Sequence, residues 1–191
     1  MMVETEHTPN PDTLKFLPGK KVSEVGPIEF LKNDKSIKVS LANQILSLEG
    51  TVMVFFGENF ITVKKEKDLN WKDLKHGIIS EINDYYSKGN EVVVGKDLKL
   101  ANILSESTSD AKPVQSNEII NKINEVLDSK VRPAVAKDGG DITFKSFKDG
   151  VVTVELKGSC SGFPSSIMTL KQGVQNLMCH YIPEVKSVEA I

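Results

Sequence analysis

Cysteine is scarce in this chain: 191 residues hold only Cys160 and Cys179. Two thiols cannot build a disulfide framework, and they suit a reducing compartment. Histidine is almost as sparse. His7, His76 and His180 have no Cys or His at metal-ligand spacing, so each reads as a surface or helix-end residue. An excess of one charge is also missing. The 24 basic and 26 acidic residues leave a formal net charge of -2, which excludes the Lys/Arg surplus of a duplex nucleic-acid binder. No stretch of about eighteen apolar residues occurs, so no membrane span is expected. The start, Met1-Met2-Val3-Glu4-Thr5-Glu6, has acids where a signal or transit peptide has bases, and it predicts a soluble, unprocessed chain.

What is present is ample apolar material. Hydrophobic residues make up 39% of the chain, enough for two small cores at this length. The stretch Thr8-Pro9-Asn10-Pro11-Asp12-Thr13-Leu14-Lys15-Phe16-Leu17-Pro18-Gly19 reads as a short strand between two proline-bearing turns. A polar stretch follows, and then Asn43 to Gly50 reads as a helix closed by its glycine. Thr51 to Phe56 and Phe60 to Val63, joined through Gly57-Glu58-Asn59, predict a hairpin. Its aromatics Phe55, Phe56 and Phe60 read as core, since no basic residues interleave with them. Trp71, Leu74, Ile78, Ile79 and Ile82 recur at helical spacing, which predicts a helix from Asn70 to about Tyr86 with Asn70 as its cap.

Beyond the apolar run Glu91 to Val94, periodicity is lost from Gly95 to Gln115, where Ser, Thr, Asp and Lys gather. This stretch reads as a linker. It divides the chain into a domain at 1–95, a linker at 96–115 and a domain at 116–191. Ser116 is placed to cap a helix with the apolar face Ile119, Ile120, Ile123, Val126 and Leu127, ended by Pro133. Asp138-Gly139-Gly140-Asp141 reads as a turn. Strands Ile142 to Phe147 and Val151 to Leu156 flank a second turn at Lys148-Asp149-Gly150. A helix from Pro164 to the stop at Pro183, with Ile167, Leu170, Val174, Leu177 and Met178 on one face, and a strand over about Val185 to Ile191 complete the reading. The fold class is α+β: two small mixed domains on a flexible linker, the second ordered α-β-β-α-β.

Chemistry concentrates at Gly158-Ser159-Cys160-Ser161-Gly162-Phe163-Pro164-Ser165-Ser166. Proline at a first helical position places Phe163 near the N-cap and sets the loop against a positive helix end. Cys160 there is either a partly exposed thiol with a depressed pKa or a small buried hydrophobe; the residues alone leave both open. Asp138 and Asp141 flank two glycines and read as turn formers, not as paired acid and base. Cys179 follows Pro164 by about fifteen helical residues, roughly 22 Å at ~1.5 Å each. A disulfide needs Cα atoms within about 7 Å, so Cys179 reads as a packing residue, not as a partner of Cys160. A thiol enzyme with Cys160 as nucleophile lacks a His base nearby in sequence.

The motifs Arg132-Pro133-Ala134-Val135, Asp138-Gly139-Gly140-Asp141-Ile142, Leu156-Lys157-Gly158-Ser159-Cys160-Ser161-Gly162, Pro164-Ser165-Ser166, Thr169-Leu170-Lys171-Gln172-Gly173-Val174 and Pro183-Glu184-Val185 resemble the C-terminal domain of NifU. Thr8-Pro9-Asn10-Pro11, Thr13-Leu14-Lys15-Phe16 and Val54 to Val63 resemble the N-terminal domain of Nfu-type proteins. The resemblance implies an iron-sulfur cluster scaffold or carrier, not an enzyme. It implies a homodimer in which each chain gives the two thiolates of a C-x-x-C, so that two loops hold one 4Fe-4S cluster for transfer to apo client proteins alongside cluster-assembly proteins. Neither nucleic acid nor membrane is implied.

By this resemblance Cys160 is the first ligand, and Phe163 stands where the second belongs. A phenyl ring does not coordinate iron, and such clusters take four thiolates. Three explanations follow: a natural or engineered variant of a cluster binder; a cluster completed by outside thiols or in a mixed dimer; or a non-metal interaction module that has lost the cluster. The short distance from Met1 to Thr8-Pro9-Asn10-Pro11 favours a bacterial cytoplasm, with a mitochondrial matrix after removal of a presequence as the alternative.

Overall fold

The structure, a computed structural model, describes residues 3–34, 38–95, 115–161 and 164–191. The chain divides into two compact units, Met1–Glu106 and Ser107–Ile191, each with its own core cluster. The expected linker at 96–115 lies outside the described residues up to Gln115, which opens a helix.

In the first unit, β1 (Glu4–His7), β2 (Thr13–Leu17), β3 (Ile28–Leu31), β4 (Thr51–Phe56) and β5 (Ile61–Lys65) form a sheet in the order β1-β2-β5-β4-β3. Every pair in it is antiparallel. The expected β4–β5 hairpin is present, with Phe56 opposite Ile61. Phe55, Phe56 and Phe60 are all buried, as core aromatics should be. Among the described residues two helices accompany the sheet, α1 (Ser40–Ser47) and α2 (Trp71–Ser87). Leu74, Ile78, Ile82 and Tyr86 recur every fourth residue of α2 and are buried, so one stripe of the helix faces the core. Its cap is as expected: the Asn70 side chain accepts a hydrogen bond from the Lys72 N–H at 3.1 Å. Trp71 Nε1 donates to the Pro11 carbonyl at 3.1 Å, tying the start of α2 to the turn before β2.

Three details differ from expectation. The polar stretch after Gly19 contains β3, and β1 precedes the first expected strand; both are four-residue edge strands, too short to show a period. The helix read at Asn43 to Gly50 runs instead over Ser40–Ser47. The Thr51 hydroxyl donates to the Ile45 and Leu48 carbonyls at 2.9 and 2.8 Å, satisfying acceptors at the helix end.

The second unit runs α3 (Gln115–Val126), a π-helical turn (Leu127–Val131), α4 (Arg132–Lys137), β6 (Gly140–Lys148), β7 (Val151–Gly158), α5 (Pro164–Tyr181) and β8 (Ser187–Ala190). Counting the broken first helix once, this is the expected α-β-β-α-β order. The sheet order is β6-β7-β8, with β6–β7 antiparallel and β7–β8 parallel. Asp149 (φ 54°) and Gly150 (φ 87°) form a two-residue turn with both φ positive, matched to the twist of a hairpin. Ile123, Leu127 and Val131 from the first helix and Val174, Met178 and Ile182 from α5 and its end belong to one core cluster with Val152, Val154 and Val188.

α3 begins at Gln115, one residue before the expected cap position; helix ends differ by a residue or two under any reading of sequence. Pro133 does not end the helix either. The Arg132 N–H bonds the Leu127 carbonyl five residues back, and this wider turn lets Pro133 sit in the first turn of α4, where a missing N–H costs nothing.

Candidate metal centre

β7 delivers the loop that carries Cys160. It ends at Gly158, and the turn that follows is closed by Ser161, whose N–H and hydroxyl both bond the Gly158 carbonyl, at 3.2 and 2.9 Å. Cys160 lies inside this turn and is only 7% exposed, as a member of the second core cluster. Its sulfur rests against Gly140: a Cβ added there would meet Cys160 Sγ at 2.7 Å and the Lys157 carbonyl at 2.6 Å. Just before it, the Ser159 N–H donates to the Gly139 carbonyl at 3.2 Å, and the Ser159 hydroxyl donates to the Asp138 carbonyl. The cysteine thus sits on a cradle made of the turn between α4 and β6.

Of the two readings left open for Cys160, the structure shows the small buried residue and not the partly exposed thiol of depressed pKa. Burial pushes the Cys160 thiol up to about 11; the nearby Ser159 hydroxyl opposes this, and the Asp138 and Asp141 carboxylates add to it. The turn folds the sulfur inward onto Gly140, so desolvation governs it. Gly162 and Phe163 lie outside the described residues, so the reading of Phe163 near the N-cap does too. α5 begins at Pro164, as expected.

Asp141 has a different place from the turn former expected. It opens β6 as its second residue, is 4% exposed, and accepts two hydrogen bonds from Arg132, Nε to Oδ1 at 2.9 Å and Nη2 to Oδ2 at 3.0 Å. Arg132 Nη1 also reaches Asp128 Oδ1 at 3.0 Å. The Asp141 carboxylate raises the guanidinium pKa further above its already high value. Asp138 stays with the turn, its N–H bonding the Ala134 carbonyl at 3.3 Å. No lone sequence signal marks the pair, since Arg132 and Asp141 are nine residues apart and meet only when β6 folds back on α4.

Cys179 is exposed and free, not the packing residue expected, because α5 turns Val174, Met178 and Ile182 inward and the position after Met178 outward. His7, His76 and His180 are exposed. Among the described residues no group of three or more His, Cys, Asp or Glu is arranged to hold a metal ion. One chain therefore offers a single sulfur at the loop and does not by itself fit a four-thiolate cluster.

Residues 3–89 match the family "Scaffold protein Nfu/NifU N terminal", and residues 123–189 match the NifU-like domain. Over 192 residues the chain is 41% identical to the human "NFU1 iron-sulfur cluster scaffold homolog, mitochondrial", covering 100% of this chain and 72% of the human one. The chain belongs to the Nfu family. This Nfu chain is also 40% identical to NifU-like protein 4, mitochondrial, of Arabidopsis thaliana, over 99% of its own length and 65% of the plant protein's. Among solved structures, the NifU-like protein of Saccharomyces cerevisiae aligns at 26% identity and a TM-score of 0.46, over 50% of this chain and 86% of that one. The Nfu chain thus carries both of the family's domains in order, and no helix among its described residues is long and apolar enough to cross a membrane.

Proposed function

We propose that this chain is a scaffold or carrier in iron-sulfur cluster assembly, not a catalyst, and that Cys160 is its iron ligand. The observation that carries this reading is kinship over the whole of this chain and 72% of the relative, at 41% identity, with a protein named as an iron-sulfur cluster scaffold. The geometry supports it by giving a lone thiol on a formed loop at the exit of a strand. The kinship favours a carrier over an interaction module that has lost the cluster.

In this reading the cluster is cargo. Two copies of the chain bring two Cys160 thiolates together around one 4Fe-4S cluster, and two further thiolates come from outside the homodimer, because Phe163 supplies none. Each Cys160 gives up its proton to bind iron. The partners are cluster-assembly proteins and apo iron-sulfur clients. The domains lie at 1–95 and 116–191 on a linker at 96–115. A bacterial cytoplasm or a mitochondrial matrix suits two free thiols, and the names of the relatives favour the matrix.

Anaerobic reconstitution with iron and sulfide tests the reading on this chain and on Phe163→Cys, followed by visible absorption, iron counting and size. This chain should bind iron weakly and more strongly with added small thiol; Phe163→Cys should bind without it and dimerise. If neither protein retains iron, the reading fails.

A further inference from the structure

Four consecutive residues form the cradle under Cys160, and each has its own tie. The Asp138 and Gly139 carbonyls accept from the hydroxyl and N–H of Ser159. Gly140 lies so close beneath the sulfur that a single added carbon would reach to 2.7 Å of it. Asp141 is held by both arms of the Arg132 guanidinium. Three of these ties are short-range contacts made by the loop itself. The fourth comes from another element, the helix that carries Arg132.

A carboxylate only 4% exposed demands a partner, and the planar fork of arginine meets both of its oxygens at once. The π-helical turn Leu127–Val131 immediately precedes Arg132. From the start of α4 Arg132 reaches Asp128 one turn back and Asp141 on β6. In the hairpin register Asp141 faces Lys157, and Gly140 faces Gly158, the residue from which the ligand turn departs. A shift of Asp141 therefore moves Gly140, the floor under the sulfur, and the start of the turn together.

The geometry points to Arg132 as a positioning residue for Cys160: its bidentate clamp on buried Asp141 sets the cradle that holds the sulfur in its inward place. The inference rests on the reading of Cys160 as the iron ligand, but its test uses the metal-free protein, so the two fail separately.

The full chain is labelled with a neutral maleimide under native conditions, and the rates at Cys160 and Cys179 are followed by peptide mass spectrometry. Cys179, exposed in the same unit, is the internal control. Arg132→Lys keeps the charge and loses the fork. It should raise the Cys160 rate at least about tenfold relative to Cys179, at urea concentrations far below its unfolding transition. An ion pair that served stability alone would lower the urea midpoint and leave the ratio of rates unchanged, and that result overturns the inference. Should Arg132→Lys fail to fold, Arg132→Met with Asp141→Leu, which removes both charges together, gives the same comparison, and an unchanged ratio there overturns it as well. Raised labelling with no iron retained by any variant would leave the clamp standing and remove the cluster reading instead.

Discussion

At Gly140 the constraint is distance, since the position touches both a sulfur and a backbone carbonyl. Gly140→Ala forces Cys160 Sγ or the Lys157 carbonyl to move, as both lie within 2.7 Å of the new carbon. Overpacking of this kind costs about 1–3 kcal/mol. The urea stability of the second unit should fall by that amount, and the loss is checked by the midpoint of Gly140→Ala against the parent chain. The motif Asp138-Gly139-Gly140-Asp141 was legible as a turn, but not the division of labour within it. One aspartate lends a carbonyl, one glycine makes room for sulfur, and the other aspartate is a buried charge. Nothing in the local residue types separates the two aspartates; their difference is made by Arg132, which the sequence shows as part of a different helix. Cys160 teaches the same lesson. Its loop and its place at the head of a helix were visible, whereas the inward turn that buries the thiol depends on contacts with residues some twenty positions earlier, such as the Ser159 to Asp138 bond.

Among elements, α2 carries a sensitivity to alkali. Tyr86, in its last turn, is buried and donates its hydroxyl to the Lys21 carbonyl at 3.0 Å. Burial, reinforced by Tyr85, pushes its pKa from the ordinary 10.0 to about 12. The folded state thus holds the phenol proton more tightly than the unfolded chain. This contribution to stability is fully present below the unfolded value and is lost as pH climbs from about 10 to about 12. Urea midpoints of the first unit should fall across that window, and Tyr86→Phe should flatten the fall while costing about 1 kcal/mol below it for the lost hydrogen bond. The helices α2 and α5 and the two hairpins were legible because long periods and turn residues agree with each other. The four-residue edge strands β1 and β3 carry no such redundancy. Pro133 misled for a physical reason: the preceding π turn makes the room that an ordinary helix would deny it.

For the molecule as a whole, two core clusters share no residue. Phe56, fully buried against β3 with its ring 5.5 Å from that of Phe30, belongs to the first cluster alone. Phe56→Ala should cost the first unit about 3–5 kcal/mol and leave maleimide labelling of Cys160 at its parental rate. Calorimetry, which should show one transition lowered and the other in place, checks this together with the labelling. The pairing of β8 has a consequence for handling the protein. β8 runs parallel to β7, with Val151 opposite Ser187 and Val154 opposite Ala190, and Ile191 is fastened on both sides, its N–H to the Val154 carbonyl at 3.0 Å and its carbonyl to the Leu156 N–H at 3.5 Å. Residues appended after Ile191 would continue alongside Lys157 and Gly158, toward the turn that holds Cys160. A purification tag placed there, and a polyhistidine tag above all, brings foreign metal ligands to the mouth of the loop, so an affinity handle belongs at the opposite end of the chain.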